Sequence, residues 1–240
     1  MSALRLAVQF LTTLPLRSGK MTTDDIAKSY YFYPLIGFGI GVAAVAVRHG
    51  MTFLFPESFS IVAVLVFLAW ITGGLHEDGL ADVADGMAGG WTLKERLTIM
   101  KDSRIGAFGA MALVFAILAK YAALNSMNSM RIDGAIIAAQ VLARWAFLPL
   151  GYFNPSARHG LGSDFMKGLN LNTLIAGTVF SAVLVILLFR LQGGLSLALS
   201  CAIVIAASVY FRRMIGGITG DCFGATYQLV EIATYAVFLA

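Results

Sequence analysis

Three aspartates, Asp78, Asp82 and Asp85, recur at i, i+4 and i+7 within G-G-L-H-E-D-G-L-A-D-V-A-D-G, from Gly73 to Gly86. At 100° per residue, a helix over 76–85 brings their directions within about 60° of one another, so three carboxylates share one face. Like charges that close oppose helix formation unless a cation lies between them. Oxygen-only ligands of this kind suit Mg²⁺ or Mn²⁺, which take carboxylates together with substrate phosphate oxygens. The plainer reading is a solvated acidic helix face. Against it, the stretch begins directly after an apolar run, where uncompensated charge is costly. His76 fits either a hydrogen-bonding role beside a ligand or an interface. Glu77 points about 100° away from Asp78.

Two further segments carry chemistry-bearing residues. In K-D-S-R-I-G-A-F-G-A, Lys101 to Ala110, Asp102 and Arg104 stand at the mouth of an apolar run, followed by Gly106 and Gly109. The planar fork of Arg104 suits phosphate oxygens, and the glycines admit a neighbouring helix or a ligand. An interfacial ion pair with small-residue packing is the plainer alternative. In G-G-I-T-G-D-C-F-G-A-T, Gly216 to Thr226, Asp221 lies in a glycine-rich break before the last apolar run. Irregular backbone at membrane depth is tolerated where it is buried or lines a cavity. Thr219 or Asp221 also suits the cap of the following helix. Arg212 and Arg213 precede this break and serve equally as phosphate-neutralising groups or as topology anchors. Asn154, Arg158, His159 and Asp164 form a polar loop, read as a solvated loop or a substrate lid.

The elements that position these residues are apolar. Of 240 residues, 59% are hydrophobic and 12% charged, half the roughly 25% charged content of a soluble domain. Positions 168–189 and 191–211 hold no Asp, Glu, Lys or Arg, and each tract is long enough to cross a hydrocarbon layer about 30 Å thick. These features exclude a soluble enzyme, a nucleic-acid-binding module and a disordered tail. The expected class is all-α, a polytopic helical membrane protein forming a single domain over 1–240. Seven spans are expected, at roughly 31–47, 58–74, 105–124, 132–150, 171–189, 193–211 and 222–240. The first is rich in glycine (Gly37, Gly39, Gly41). Lys120 and Arg144 fall inside the third and fourth, where they face the bundle interior or snorkel. Leu4, Val8, Leu11 and Leu14 or Pro15 recur at helical spacing, predicting an amphipathic helix on the membrane surface. Cys201 and Cys222 read as small packing residues.

Charge orients the chain. With the N-terminus inside, the cytoplasmic set is Arg5, Arg17, Lys20, Lys28, Lys94, Arg96, Lys101, Arg104, Arg158, Lys167, Arg212 and Arg213. The opposite side receives Arg48, Arg131 and Arg190. This is a positive-inside bias, and it accounts for the net charge of +4 without a nucleic-acid partner. The same assignment puts six of the 13 acids in the cytoplasmic stretch 75–104, with Asp164 and Asp221 on that side too.

Taken together, G-L-H-E-D-G-L-A-D-V-A-D-G at 74–86, K-D-S-R-I-G-A-F-G at 101–109 and G-x-T-G-D-x-x-G-A at 217–225 resemble the cobalamin synthase family. Its members are adenosylcobinamide-GDP ribazoletransferases. A-V-Q-F-L-T-T-L-P-L at 7–16 and F-x-P-L-I-G at 32–37 are similar to that family's opening segments. The resemblance implies an enzyme of the cytoplasmic (inner) membrane whose active site faces the cytoplasm. It implies Mg²⁺ as cation, adenosylcobinamide-GDP and α-ribazole or its 5′-phosphate as substrates, and GMP as leaving group. The product is adenosylcobalamin or its 5′-phosphate.

The residues agree with that reaction class, because a nucleotide-activated phosphoryl donor needs a cation on its diphosphate. Asp78, Asp82 and Asp85 are expected to hold one or two Mg²⁺ ions, with Asp221 completing the site. Lys101 and Arg104, with Arg212 and Arg213, would neutralise the diphosphate, and the ribazole 5′-hydroxyl would attack. Asp102, His76 or a motif aspartate such as Asp82 would serve as base. The bilayer is the expected environment, and a homo-oligomer stays open. Another membrane phosphotransferase is the first alternative. Lipid-synthesising relatives of that kind carry D-G-x-x-A-R, where this chain has D-G-L-A-D at 78–82. A transporter is the second, but the acids gather at the membrane edge and not at mid-depth.

Overall fold

The computed structural model describes residues 3–16, 23–158, 163 and 166–240. Arg17, Lys20, His159 and Asp164, singled out above, lie outside the described residues. The named elements are helices: α1 (Ala3–Leu11), α2 (Thr23–Ser29), α3 (Tyr33–Thr52), α4 (Glu57–Ile71), α5 (Leu75–Gly89), α6 (Leu93–Ile99), α7 (Ala107–Asn125), α8 (Ser129–Trp145), α9 (Phe147–Phe153), α10 (Leu171–Ile215) and α11 (Gly220–Leu239). Among the described residues the extended pairing is a single parallel bridge between Ser156 and Ile218.

Five of these segments are long and apolar enough to cross a membrane, or six if the bent pair α4–α5 counts as one span. The chain is therefore an all-α polytopic membrane protein, and the count differs from the seven spans expected. Two local features explain the difference. The α4 helix ends after 15 residues because Gly73 and Gly74 take φ of 68° and 69°. Side-chain-bearing residues avoid that region, so the pair makes a sharp corner, and α5 leaves at 85° to α4.

The expected spans 171–189 and 193–211 instead run together as α10, interrupted at Arg190, where φ is 47° and ψ −119°. There Gly193 packs directly on the Val185 carbonyl. Eight residues of straight helix would separate those two positions by about 12 Å, so the chain doubles back. Val179, Leu187, Leu188 and Leu191 on its arms are exposed, as expected of a lipid-facing surface.

The centre of the bundle is α8, whose Ile132, Ile136, Ala139 and Leu142 are fully buried. Apolar burial does not drive helices together in lipid, so close packing of small residues must do so. Gly37 and Gly41 of α3 supply it. A Cβ on Gly41 would lie 2.8 Å from Ile137 Cα, and Gly37 sits against the Gln140 carbonyl. Gly39, the third glycine of that run, faces open space. Lys120 and Arg144 point into the interior, as one of their two expected placements required. At the N-terminus, α1 buries Leu6, Ala7 and Leu11 against the fold, while Leu4 and Phe10 are exposed. Leu14 falls beyond its end.

Candidate active site

The α5 helix carries four acids in fifteen residues and turns away from the span before it, so it is read as lying outside the hydrocarbon layer. Gly79 decides what it meets. A Cβ there would lie 2.8 Å from the Asp221 carbonyl oxygen and 3.1 Å from Asp221 Cα. On the other side, Gly224 approaches the His76 carbonyl to 3.1 Å measured the same way. The bare backbone at Gly79 leaves room for a close neighbour. That neighbour is α11. The two glycines bring the acidic face of α5 against Asp221 at the start of α11.

A cavity of about 380 Å³ opens at this junction, within the size range of small-molecule sites. Its polar lining includes His76, Asp78, Arg158, Thr219 and Asp221, and its apolar lining includes Phe147 and Phe223. Arg158 Nη2 bonds Asp221 Oδ2 at 3.0 Å, and Thr219 Oγ1 donates to the same oxygen at 3.1 Å. Arg158 is held there by its backbone neighbours. Ala157 N–H donates to the Ile218 carbonyl and Ile218 N–H to that of Pro155, each at 2.9 Å. Asp82 lies one turn beyond Asp78. Burial first, then the Asp78 and Asp221 carboxylates, push its pKa up to about 6, with Arg158 opposing. The acids of α5 and α11 are therefore close enough to repel one another.

Asp85 has a different task. Gly106 N–H donates to its Oδ2 at 2.7 Å and Gly109 N–H to its Oδ1 at 2.8 Å. Gly106 is the N-cap of α7 and has no side chain to satisfy the first amides of that helix. Asp85 supplies the missing acceptor from α5, placing negative charge at the positive end of the α7 dipole.

Lys101, Asp102, Arg104, Arg212 and Arg213 fall off the cavity wall, whereas His76 is part of it. Arg104 bonds Asp102 through Nε at 3.0 Å and Nη2 at 2.7 Å, and both are exposed. That bond holds the Asp102 carboxyl well below the usual carboxylate range, which makes it a weak base. Lys101 and Arg213 are exposed. Arg212 Nε is committed to Asn154 Oδ1 at 2.7 Å, and Asn154 in turn bonds Leu150 and Ser208. His76 is 3% exposed, stacked on Tyr227 at 3.9 Å, and its Nε2 has no hydrogen-bond partner among the described residues.

Among the described residues, no group of three or more His, Cys, Asp or Glu side chains is already arranged to hold a metal. The chemistry of the donor set fits a hard divalent cation in part. Asp78, Asp82 and Asp221 carry carboxylate oxygens in mutual repulsion, which a cation would relieve. Asp85 fits poorly, since each of its oxygens already receives an amide of α7.

Two groups escaped sequence reasoning. Arg158 was visible as a base in a polar loop, but its pairing spans 63 residues. Beneath the cavity, Lys120 Nζ meets Glu231 Oε2 at 2.6 Å, Gln140 Nε2 meets Glu231 Oε1 at 3.0 Å, and Arg144 Nη1 meets Gln140 Oε1 at 2.7 Å. Tyr235 joins through Glu231 at 2.9 Å. The available signal was Glu231, an acid inside the last span, with Tyr227 and Tyr235 four residues to either side. An intramembrane acid demands a partner on a neighbouring helix.

Comparison with known proteins follows the same line. The family described as cobalamin-5-phosphate synthase matches residues 3–239. An adenosylcobinamide-GDP ribazoletransferase of Syntrophobacter fumaroxidans is 36% identical over 231 residues, covering 94% of this chain and 93% of the relative. Ribazoletransferases of Shewanella woodyi and Clostridium tetani are 36% and 34% identical, each covering 98% of this chain and 94% and 95% of theirs. No solved structure matches the chain. The match over nearly the whole length, on a polytopic helical bundle with Asp78 and Asp221 in the wall of one cavity, places this chain in the cobalamin-5-phosphate synthase family.

Proposed function

We propose that this protein is a membrane-embedded transferase that joins adenosylcobinamide-GDP to α-ribazole or its 5′-phosphate. It releases GMP and forms adenosylcobalamin or its 5′-phosphate. The observation that carries this reading is the cavity where Asp78 of α5, Asp221 of α11 and Arg158 meet. Family membership and relatives that share this activity by name support it.

The cation is proposed to be Mg²⁺, held by Asp78, Asp82 and Asp221. When bound, it neutralises the diphosphate and stabilises charge on the transferring phosphoryl group. Asp221 and Arg158 fix one side of the cavity, and α5 presents the other acids opposite. Phe147 and Phe223 exclude water from the far wall, which strengthens these electrostatic contacts.

A ribose hydroxyl of the acceptor attacks the phosphorus that carries cobinamide. The bond from that phosphorus to the bridging oxygen breaks, and GMP leaves with that oxygen. The 5′-hydroxyl expected from sequence does not serve for both acceptors, because the 5′-oxygen of α-ribazole 5′-phosphate is already esterified. A secondary hydroxyl serves for both. With Asp102 tied to Arg104, Asp82 is the proposed proton acceptor. Lys101, Arg104 and Arg213 act as outer charges that draw in the diphosphate.

The same reading extends to topology. Counting the two arms of α10 separately, and α4 as a crossing, gives seven passes with the N-terminus inside. Every segment that lines the cavity then lies on the cytoplasmic side of the inner membrane. The exposed Leu4 and Leu14 rest in that membrane surface. The test is purified protein in liposomes with adenosylcobinamide-GDP, α-ribazole and Mg²⁺. Stoichiometric GMP and cobamide are expected. Transport of the corrinoid without conversion would favour the transporter alternative instead.

A further inference from the structure

Arg158 is held differently from Arg48, the fully buried arginine that pairs with Glu57 and Asp133. It reaches Asp221 through one nitrogen, Nη2, at 3.0 Å, and its Nη1 makes a long 3.4 Å contact with the Leu97 carbonyl. Its side chain is 23% exposed and lines the cavity, as does Asp221. The backbone below it is fixed: the bridge between 155–157 and Ile218 pins the root of the side chain. Gly217 permits this, since it packs directly on the Pro155 carbonyl. A fixed root, a single-point contact and an adjoining cavity together describe a guanidinium with two places to go.

The acids explain why it would move. Asp221 Oδ2 receives both Arg158 and Thr219, so the guanidinium is the counter-charge on a carboxylate that belongs to the proposed cation site. A guanidinium and a divalent cation compete for the same negative charge. A planar fork of donors released beside a cavity is well matched to phosphate oxygens.

We propose that Arg158 is an exchangeable counter-ion. It rests on Asp221 while the acids hold no cation, and turns to a phosphate oxygen of the diphosphate donor once they do. This rests on the cation reading given above. It adds that the cation and the diphosphate are admitted in a coupled way: filling the acid site frees the arginine that grips the donor.

Arg158→Gln tests it through two binding measurements without the acceptor, so that no turnover occurs. The first is Mn²⁺ binding to metal-stripped protein in detergent, followed by electron paramagnetic resonance. The second is binding of adenosylcobinamide-GDP at saturating Mg²⁺. The expected result is opposite in sign. Mn²⁺ affinity rises roughly threefold to tenfold, because a competing charge is gone, while donor affinity falls about tenfold or more. A residue that only braced the loop would weaken both.

Arg158→Lys keeps the charge at the same root and should give the same two signs at smaller size. It therefore serves if the glutamine variant fails to insert. Unchanged or weaker Mn²⁺ binding in the variants, or unchanged donor binding, overturns the exchange. If wild-type protein binds no Mn²⁺ at all, the cation reading falls and the exchange with it. If wild-type binding is normal and the variants match it, the exchange alone falls.

Discussion

The two ends of the bundle use the same residue types to opposite effect. At the end away from the cavity, Arg48 is 1% exposed and serves two acids at once. Its Nε and Nη2 bond Glu57 at 2.6 and 2.9 Å, its Nη1 bonds Asp133, and Nη2 also reaches Ser129. His49 covers the second oxygen of Asp133 at 2.8 Å. Every acid there has its partner, and the cluster clamps α3, α4 and α8 together. At the cavity end, Asp78, Asp82 and Asp221 share one arginine, which reaches an acid through a single nitrogen. Burial, with the repulsion of Asp78 and Asp221 added to it, keeps a proton on Asp82 up to about pH 6. A neutralised cluster reads as architecture, and an under-neutralised one in a cavity reads as a site awaiting a ligand.

The comparison breaks most sharply at Asp82. Asp82→Asn should lower GMP release by roughly 10²- to 10³-fold, the scale of losing one pre-organised electrostatic contact to a transition state. Membrane insertion and thermal stability should stay normal or improve, since a repulsion is removed. Turnover near wild type at limiting Mg²⁺ would end the cation role. Arg48→Ala should do the reverse. It costs about 3 kcal/mol of stability, the low end for breaking a buried pair, because Glu57 and Asp133 reach solvent. Protein that survives folded should turn over normally. Loss of turnover at unchanged stability would erase the distinction between the two ends.

Acidity sharpens the contrast at the next smaller scale. The folded pKa of Asp82 lies above its ordinary 3.8, so the fold favours the protonated form. In EDTA, stability should therefore decline as pH rises from about 4 to about 6. Cation affinity moves the other way: it should fall about tenfold per pH unit below about 6, where the carboxylate takes up its proton. Affinity that is flat between pH 5 and 8 would contradict this. The smallest effect is expected at Asp85. Asp85→Ala removes the acceptor at the α7 N-terminus and should cost about 1 kcal/mol of stability, with little change in Mn²⁺ affinity. A large loss of affinity would return Asp85 to the cation site.

Much of this was legible in the chain, for reasons that differ by residue. The i, i+4 spacing of Asp78 and Asp82 is a local property of one helix, and it survives in the fold as read. The fate of Asp85 was not local. Its partners, Gly106 and Gly109, lie across a loop and a short helix, and a bare glycine N-cap gives no hint of where its acceptor comes from. Arg158 and Arg212 looked alike as cytoplasmic bases, yet one lines the cavity and the other anchors Asn154, through pairings 63 and 58 residues apart. The apolar tracts located the membrane segments. What blurred their number was backbone conformation at three residues, Gly73, Gly74 and Arg190, which hydropathy does not encode.

The most direct test of the central claim is an Mn²⁺ titration of metal-stripped protein. It compares wild type, Asp82→Asn one turn behind the cavity wall and Asp133→Asn at the far end, each in the same detergent. The under-neutralised cavity predicts saturable binding in wild type, at least tenfold weaker binding in Asp82→Asn, and unchanged affinity in Asp133→Asn. Equal affinity in all three, or loss only in Asp133→Asn, would contradict it.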